Sequence, residues 1–165
     1  MEMDEWSSFT KRVTINAGIE TILKAWCTQK GLESWFLRTA LFRDSENELR
    51  NPDQFIAEND NYEWKWFGYP DYVQEGRVMS SKEENSLSFS FTENCLVTVK
   101  IMKENGENLV ELTQKNIPFD INPKTNLYVA CGEGWTFYLA NLKSVLEGGI
   151  DLRNRNDLIQ NVINA

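Results

Sequence analysis

The sequence has 165 residues, 41% of them hydrophobic and 25% charged, which predicts one domain over residues 1–165, able to bury roughly 70% of its unfolded surface without covalent staples. Lys and Arg total 17 against 25 Asp and Glu, for a net charge of −8 and a pI near 4.7, the wrong sign for nucleic acid or an anionic membrane surface. The chain contains no histidine, which removes Ser-His-Asp and Cys-His catalysis, histidine-ligated metal sites and the ordinary neutral-pH proton shuttle.

Residues 8 to 15 alternate as a strand with Phe9, Val13 and Ile15 on one face beside Lys11,. After the break at Asn16-Ala17-Gly18, Ile19, Ile22, Leu23 and Trp26 take the spacing of a helix with one buried stripe,. Thr28-Gln29-Lys30-Gly31 interrupts it, and Leu32 to Phe36 read as a second, shorter helix. Short strands follow near 38–43, 61–68, 72–80, 86–92, 95–103 and 107–117, with no helix between them to make parallel crossovers,. Residues 44–61 read as an acidic loop with a short strand around Phe55,. In Ser86 to Thr92, Leu87, Phe89 and Phe91 face a core, and Ser86, Ser88 and Ser90 face water,. Past Asn122-Pro123, the residues Tyr128, Cys131, Trp135, Tyr138, Leu142 and Val145 form the stripe of a long helix stopped by Gly148-Gly149,. Gly132 and Gly134 within it imply either fraying or a close backbone approach,. The tail, 150–165, carries an amphipathic set in Leu158, Ile159, Val162 and Ile163, suited to cap the sheet, dock on the helix or pair two chains as a homodimer.

This order has one economical packing: an α+β helix-grip fold, in which a strongly curved antiparallel sheet wraps a long C-terminal helix and the short helix pair after the first strand plugs one end. A lipocalin-like barrel is the alternative, but it would not place a helix pair after its first strand. Cys27, Cys95 and Cys131 are widely spaced and an odd number, so they read as reduced thiols rather than a metal knuckle or disulfide framework. The acidic N-terminus and the lack of an apolar run near the ~20 residues of a membrane span predict a cytoplasmic protein with no membrane insertion. No cofactor or metal site is expected.

Three segments carry a family resemblance. They are Ala25 to Phe36, with Trp35-Phe36 at its end; Glu75-Gly76-Arg77-Val78 before Leu87 to Phe91; and Gly134-Trp135 through Leu142-Lys143 to Leu146-Glu147-Gly148-Gly149-Ile150-Asp151-Leu152-Arg153. Together, over roughly residues 8 to 153, they resemble the activator of heat-shock protein 90 ATPase homologue-like family of the START-like, birch-pollen-allergen-like superfamily. The resemblance implies a helix-grip fold with a cavity between sheet and long helix that holds hydrophobic small molecules. It also implies two alternatives: a chaperone-associated interaction domain, or a cyclase- or hydrolase-like enzyme. It brings no catalytic motif.

Aromatic residues are in surplus, with 6 Trp, 5 Tyr and 9 Phe, and they cluster in Tyr62 to Tyr72. Tyr62, Trp64 and Trp66 share one strand face, where core filling, a ligand wall with free indole N–H groups, and a partner patch all fit. The candidate ligand-binding residues are therefore Trp35, Tyr62, Trp64, Trp66, Phe89, Phe91, Gln114, Trp135 and Tyr138. Val110, Leu112, Gln114 and Asn116 share a face of the last strand, so Gln114 either aims its amide inward or lies at the rim. For an enzyme, Glu63, Glu75, Glu111 and Arg77 are the candidate groups, with nothing in the sequence to bring two carboxylates together. The missing histidines favour a non-enzymatic binder.

Overall fold

The computed structural model describes residues 3–163; Met1 and Glu2 of the acidic N-terminus and Asn164 and Ala165 of the tail lie outside the described residues. The chain runs β1 (Phe9–Thr14), α1 (Ile19–Cys27), α2 (Gln29–Trp35), β2 (Thr39–Arg43), β3 (Asn61–Lys65), β4 (Gln74–Met79), β5 (Ser86–Phe91), β6 (Cys95–Glu104), β7 (Glu107–Lys115) and α3 (Leu127–Leu146). The seven strands form one antiparallel sheet in the order β1-β7-β6-β5-β4-β3-β2, with β1 and β2 at opposite edges, so the sheet is not closed into a barrel. The helix pair between these two edge strands and α3 cover one face, which is the helix-grip arrangement.

Local chemistry explains the joints. The Thr28 hydroxyl donates to the Lys24 carbonyl at 2.8 Å and accepts from the Gly31 amide at 2.9 Å, so one side chain ends α1 and caps α2. Gly31 is required there, because a β-carbon would lie 2.0 Å from the Lys24 carbonyl oxygen. Asn126 caps α3 by accepting from the Val129 amide, and Gly148, at φ +82°, takes the left-handed turn that ends it. The helix is continuous through Gly132 and Gly134. Neither glycine is a site of fraying, and a β-carbon at Gly134 would meet nothing within 4 Å.

The core lies between the sheet and the helices. Trp26, Trp35 and Trp64 are almost fully buried with Phe42, Phe89 and Leu112, and each such side chain removed from water contributes about 1.5–3 kcal/mol. Trp35 stacks on Phe36 and meets Trp26 edge-on. Three expectations shift. β3 stops at Lys65, so Trp66 to Gly68 belong to the β3–β4 connection, and Phe55 lies in no strand, exposed on a loop with one isolated bridge, Arg43 to Leu49. Ser88 is buried on the polar face of β5, where its hydroxyl bonds to that of Thr98. Among the described residues, no helix is long and apolar enough to cross a membrane.

Candidate functional site

Sheet and helix do not fill the space between them. A cavity of about 490 Å³ opens beside the N-terminal half of α3. Its wall on the α3 side is Leu127, Ala130, Cys131, Gly134, Trp135 and Tyr138, successive residues of one helical stripe,. Facing them are Phe36 at the end of α2, Trp66, Tyr69 and Tyr72 in the β3–β4 connection, Gln74 at the start of β4, and Phe91 and Thr92 at the end of β5. None of these residues carries a charge.

Of the nine candidate residues, four meet at this wall: Trp66, Phe91, Trp135 and Tyr138. The other five lie behind it. Trp35 spends its indole N–H on the Ala25 carbonyl at 2.9 Å. Tyr62 stacks on Trp64 with ring centroids 3.8 Å apart, and Trp64 is boxed in by Phe36, Phe42 and Phe89. Gln114 is fully buried; its Oε1 accepts from Trp135 Nε1 at 2.9 Å. Its Nε2 has no hydrogen-bond partner, and the Gln114 side chain counters the upward push of burial on the Cys95 and Cys131 thiols. The expected supply of indole N–H groups is therefore not met at three positions: Trp35 gives its N–H to Ala25 and Trp135 to Gln114, and that of Trp64 is buried without a partner, a cost of about 1–3 kcal/mol.

The one side-chain amide on the wall is Gln74, a residue the sequence reading did not single out. It is buried, and it lies in phase with Gly76 and Val78 on β4. Its Nε2 donates to the Tyr62 hydroxyl at 3.2 Å, and its Oε1 accepts from the Tyr72 hydroxyl at 3.3 Å. The strand phase of Val78, read back by two and four residues, was the signal available for it. Gly76 stands opposite Tyr62 across the β3–β4 pair, and a β-carbon there would sit 2.3 Å from the Tyr62 ring. The ring can lie over β4 only because Gly76 has no side chain.

The Glu63, Glu75, Glu111 and Arg77 set lies off this wall. Glu63 does face Glu75 directly across β3 and β4, a juxtaposition the sequence spacing did not reveal. Glu111 pairs with Arg12 at 3.2 Å. Burial raises the pKa of Tyr138 and of the Cys131 thiol, so both wall groups stay neutral at pH 7,.

The tail anchors the cavity lip. Arg153 is buried and donates to the Leu37 and Glu33 carbonyls and to Asp151. Phe67 is surrounded by the guanidinium groups of Arg38, Arg153 and Arg155 at 5.2, 5.4 and 5.3 Å from its ring centre,. Asp157 accepts from the Gly68 amide at 3.0 Å and pairs with Arg38. Phe67 and Gly68 of the β3–β4 connection are thereby held by Arg38 and by the tail residues Arg153, Arg155 and Asp157.

Residues 16–147 match the sequence profile of the family described as Activator of Hsp90 ATPase homolog 1-like protein. The chain belongs to this family. Similar solved structures include a protein from Staphylococcus saprophyticus (16% identity, TM-score 0.68, covering 88% of this chain and 96% of that one). They also include the Aha1 dimer from Colwellia psychrerythraea (18%, 0.62, 86% and 97%) and DynU16 from the dynemicin biosynthetic locus (14%, 0.65, 92% and 50%). At these identities the likeness is one of fold. No curated protein sequence matches. Within the motif from Gly134 to Arg153, Gly134, Trp135 and Tyr138 line the cavity, Trp135 donates to Gln114 Oε1, and Asn141 donates to the Trp35 carbonyl and Asp151 while accepting from the Leu152 amide.

Proposed function

We propose that this family member binds an uncharged hydrophobic or amphipathic small molecule, without turnover, between the curved sheet and α3. The observation that carries the reading is the cavity wall, aromatic on several sides and free of charged side chains. Its volume falls in the range of small-molecule sites. Trp66 and Tyr72 offer near-parallel ring faces 6.1 Å apart, and Phe91 lies 5.5 Å from Trp135, surfaces that favour a flat apolar partner. The neutral Tyr138 and Cys131, and the placement of the carboxylates elsewhere, weigh against the cyclase- or hydrolase-like reading. Native mass spectrometry of freshly purified protein tests the proposal. A retained or taken-up neutral molecule supports it, and failure to take up any of a panel of neutral polycyclic compounds refutes it.

A second reading, docking to another protein chain, is favoured by the tail, where Leu158 and Ile163 are 91% and 84% exposed. The family description suggests a chaperone, and the Colwellia relative, a dimer, suggests a second copy. Sedimentation of the protein alone, and an ATPase assay with added purified chaperone, test the two forms. A monomer that leaves the ATPase rate unchanged removes this reading.

A further inference from the structure

The hydrogen bonds behind the cavity wall run in one direction, and that direction fixes what the wall presents. The Tyr62 hydroxyl donates to the Ser90 carbonyl at 2.6 Å, and a carbonyl only accepts. With its one proton committed, the Tyr62 oxygen can only accept from Gln74, so the amide nitrogen of Gln74 must face Tyr62 and its oxygen must face Tyr72. The observed bonds follow this order: Tyr72 hydroxyl to Gln74 Oε1, Gln74 Nε2 to Tyr62, Tyr62 to Ser90. The amide cannot turn over without breaking the chain. Burial raises the Tyr62 pKa, so the phenol keeps the proton the chain depends on.

One N–H of Gln74 Nε2 is used by Tyr62, and the second has no protein acceptor among the described residues. Gln74 is 6% exposed and lies on the wall. A buried amide on the wall is thus left with one N–H beyond its protein partners, beside aromatic rings and with no cation on the wall to compensate a carboxylate. On the reading that the cavity is a ligand site, we infer that Gln74 is its specificity-determining residue and selects uncharged ring systems that carry a carbonyl oxygen. Tyr62, held off the wall, acts as a positioning residue, and Gly76 makes room for it.

The test compares 9-fluorenone with fluorene, which differ by the carbonyl, using quenching of tryptophan fluorescence in the full chain. The fluorenone-to-fluorene affinity ratio is expected to be roughly two- to tenfold higher in the unmodified protein than in Gln74→Met, the range of one hydrogen bond. Tyr62→Phe, which leaves the wall intact, is expected to lower the ratio toward that of Gln74→Met by freeing the amide. Equal ratios in all three proteins, with both compounds bound, overturn the inference and leave the ligand-site reading standing. Failure of both compounds to bind the unmodified protein overturns the ligand-site reading and the inference with it. A measurement that needs no variant is the infrared carbonyl stretch of bound fluorenone, expected at lower frequency than in hexane. An unshifted band refutes the hydrogen bond.

Discussion

Replacing Gly134 with Leu separates ligand binding from folding. Gly134 lies mid-helix on the cavity stripe, and a β-carbon there meets nothing within 4 Å. The Leu side chain therefore enters open space rather than the core. In a helix interior, Leu is favoured over Gly by roughly 0.8 kcal/mol, which for a chain of this length raises Tm by roughly 2–3 °C. The four added carbons occupy roughly 100 Å³, on a scale of about 30 Å³ per water-sized group, against a cavity of about 490 Å³. Because the added side chain projects from the helix stripe on which the ring system is proposed to lie, it overpacks that contact by about 1–3 kcal/mol, so fluorene affinity falls roughly tenfold. Thermal melting and fluorescence titration of the same preparation read both effects. Unchanged affinity with a raised Tm would show that the ligand does not occupy this space, and a lowered Tm would refute the open geometry around Gly134.

Other consequences follow from the joints that hold the site. Burial alone would raise the Asp151 pKa, but hydrogen bonds from Arg153, Arg155 and Asn141 hold it well below the ordinary carboxylate range. Its contribution is thus fully present above the unfolded value of about 3.9 and is lost as pH falls below it toward the folded value. Hydrogen-exchange protection over residues 150–157, taken relative to the intrinsic rate at each pH, should fall as pH drops from 5 to 3, and Asp151→Asn should remove that pH step; a step of the same size in the variant would count against this assignment,. Gly31→Ala should lower stability by about 2 kcal/mol or more in urea unfolding, because its β-carbon would strike the Lys24 carbonyl and Ala25 Cα, both backbone,. Asn141→Leu leaves the Trp35 carbonyl and the Leu152 amide without their partner and should cost about 2–4 kcal/mol, with the tail exchanging faster than the helix.

Much of this architecture is legible in the sequence. The change of period at Ile19 and the stripe from Tyr128 to Val145 place the helices, and the uninterrupted run of strands requires the antiparallel meander. The division of the aromatics between core and cavity is not legible. Tyr62, Trp64 and Trp66 alternate on one face, yet β3 ends at Lys65, and only the residue beyond the last pairing reaches the cavity. How deep a ring lies depends on sheet curvature, which is set by partners distant in sequence. The sequence leaves Gln114 open between an inward and a rim position; it is buried, and its carbonyl is consumed by Trp135, 21 positions away. Gln74 was readable from strand phase alone. The tail shows the limit of hydrophobic periodicity: its spacing marks Leu158, Ile159 and Ile163 for burial, whereas the anchors are Asp151, Arg153 and Asp157, and those three apolar residues stay exposed.

The proposed function places a neutral molecule against the sheet-facing stripe of α3, and amide and indole chemical-shift mapping with 9-fluorenone locates it. Saturable shifts are expected at Phe36, Trp66, Gln74, Phe91 and Trp135, with Trp26 and Ile101 unmoved. Saturation confined to the outer face of α3 and the tail, or no saturable shift at all, would contradict it.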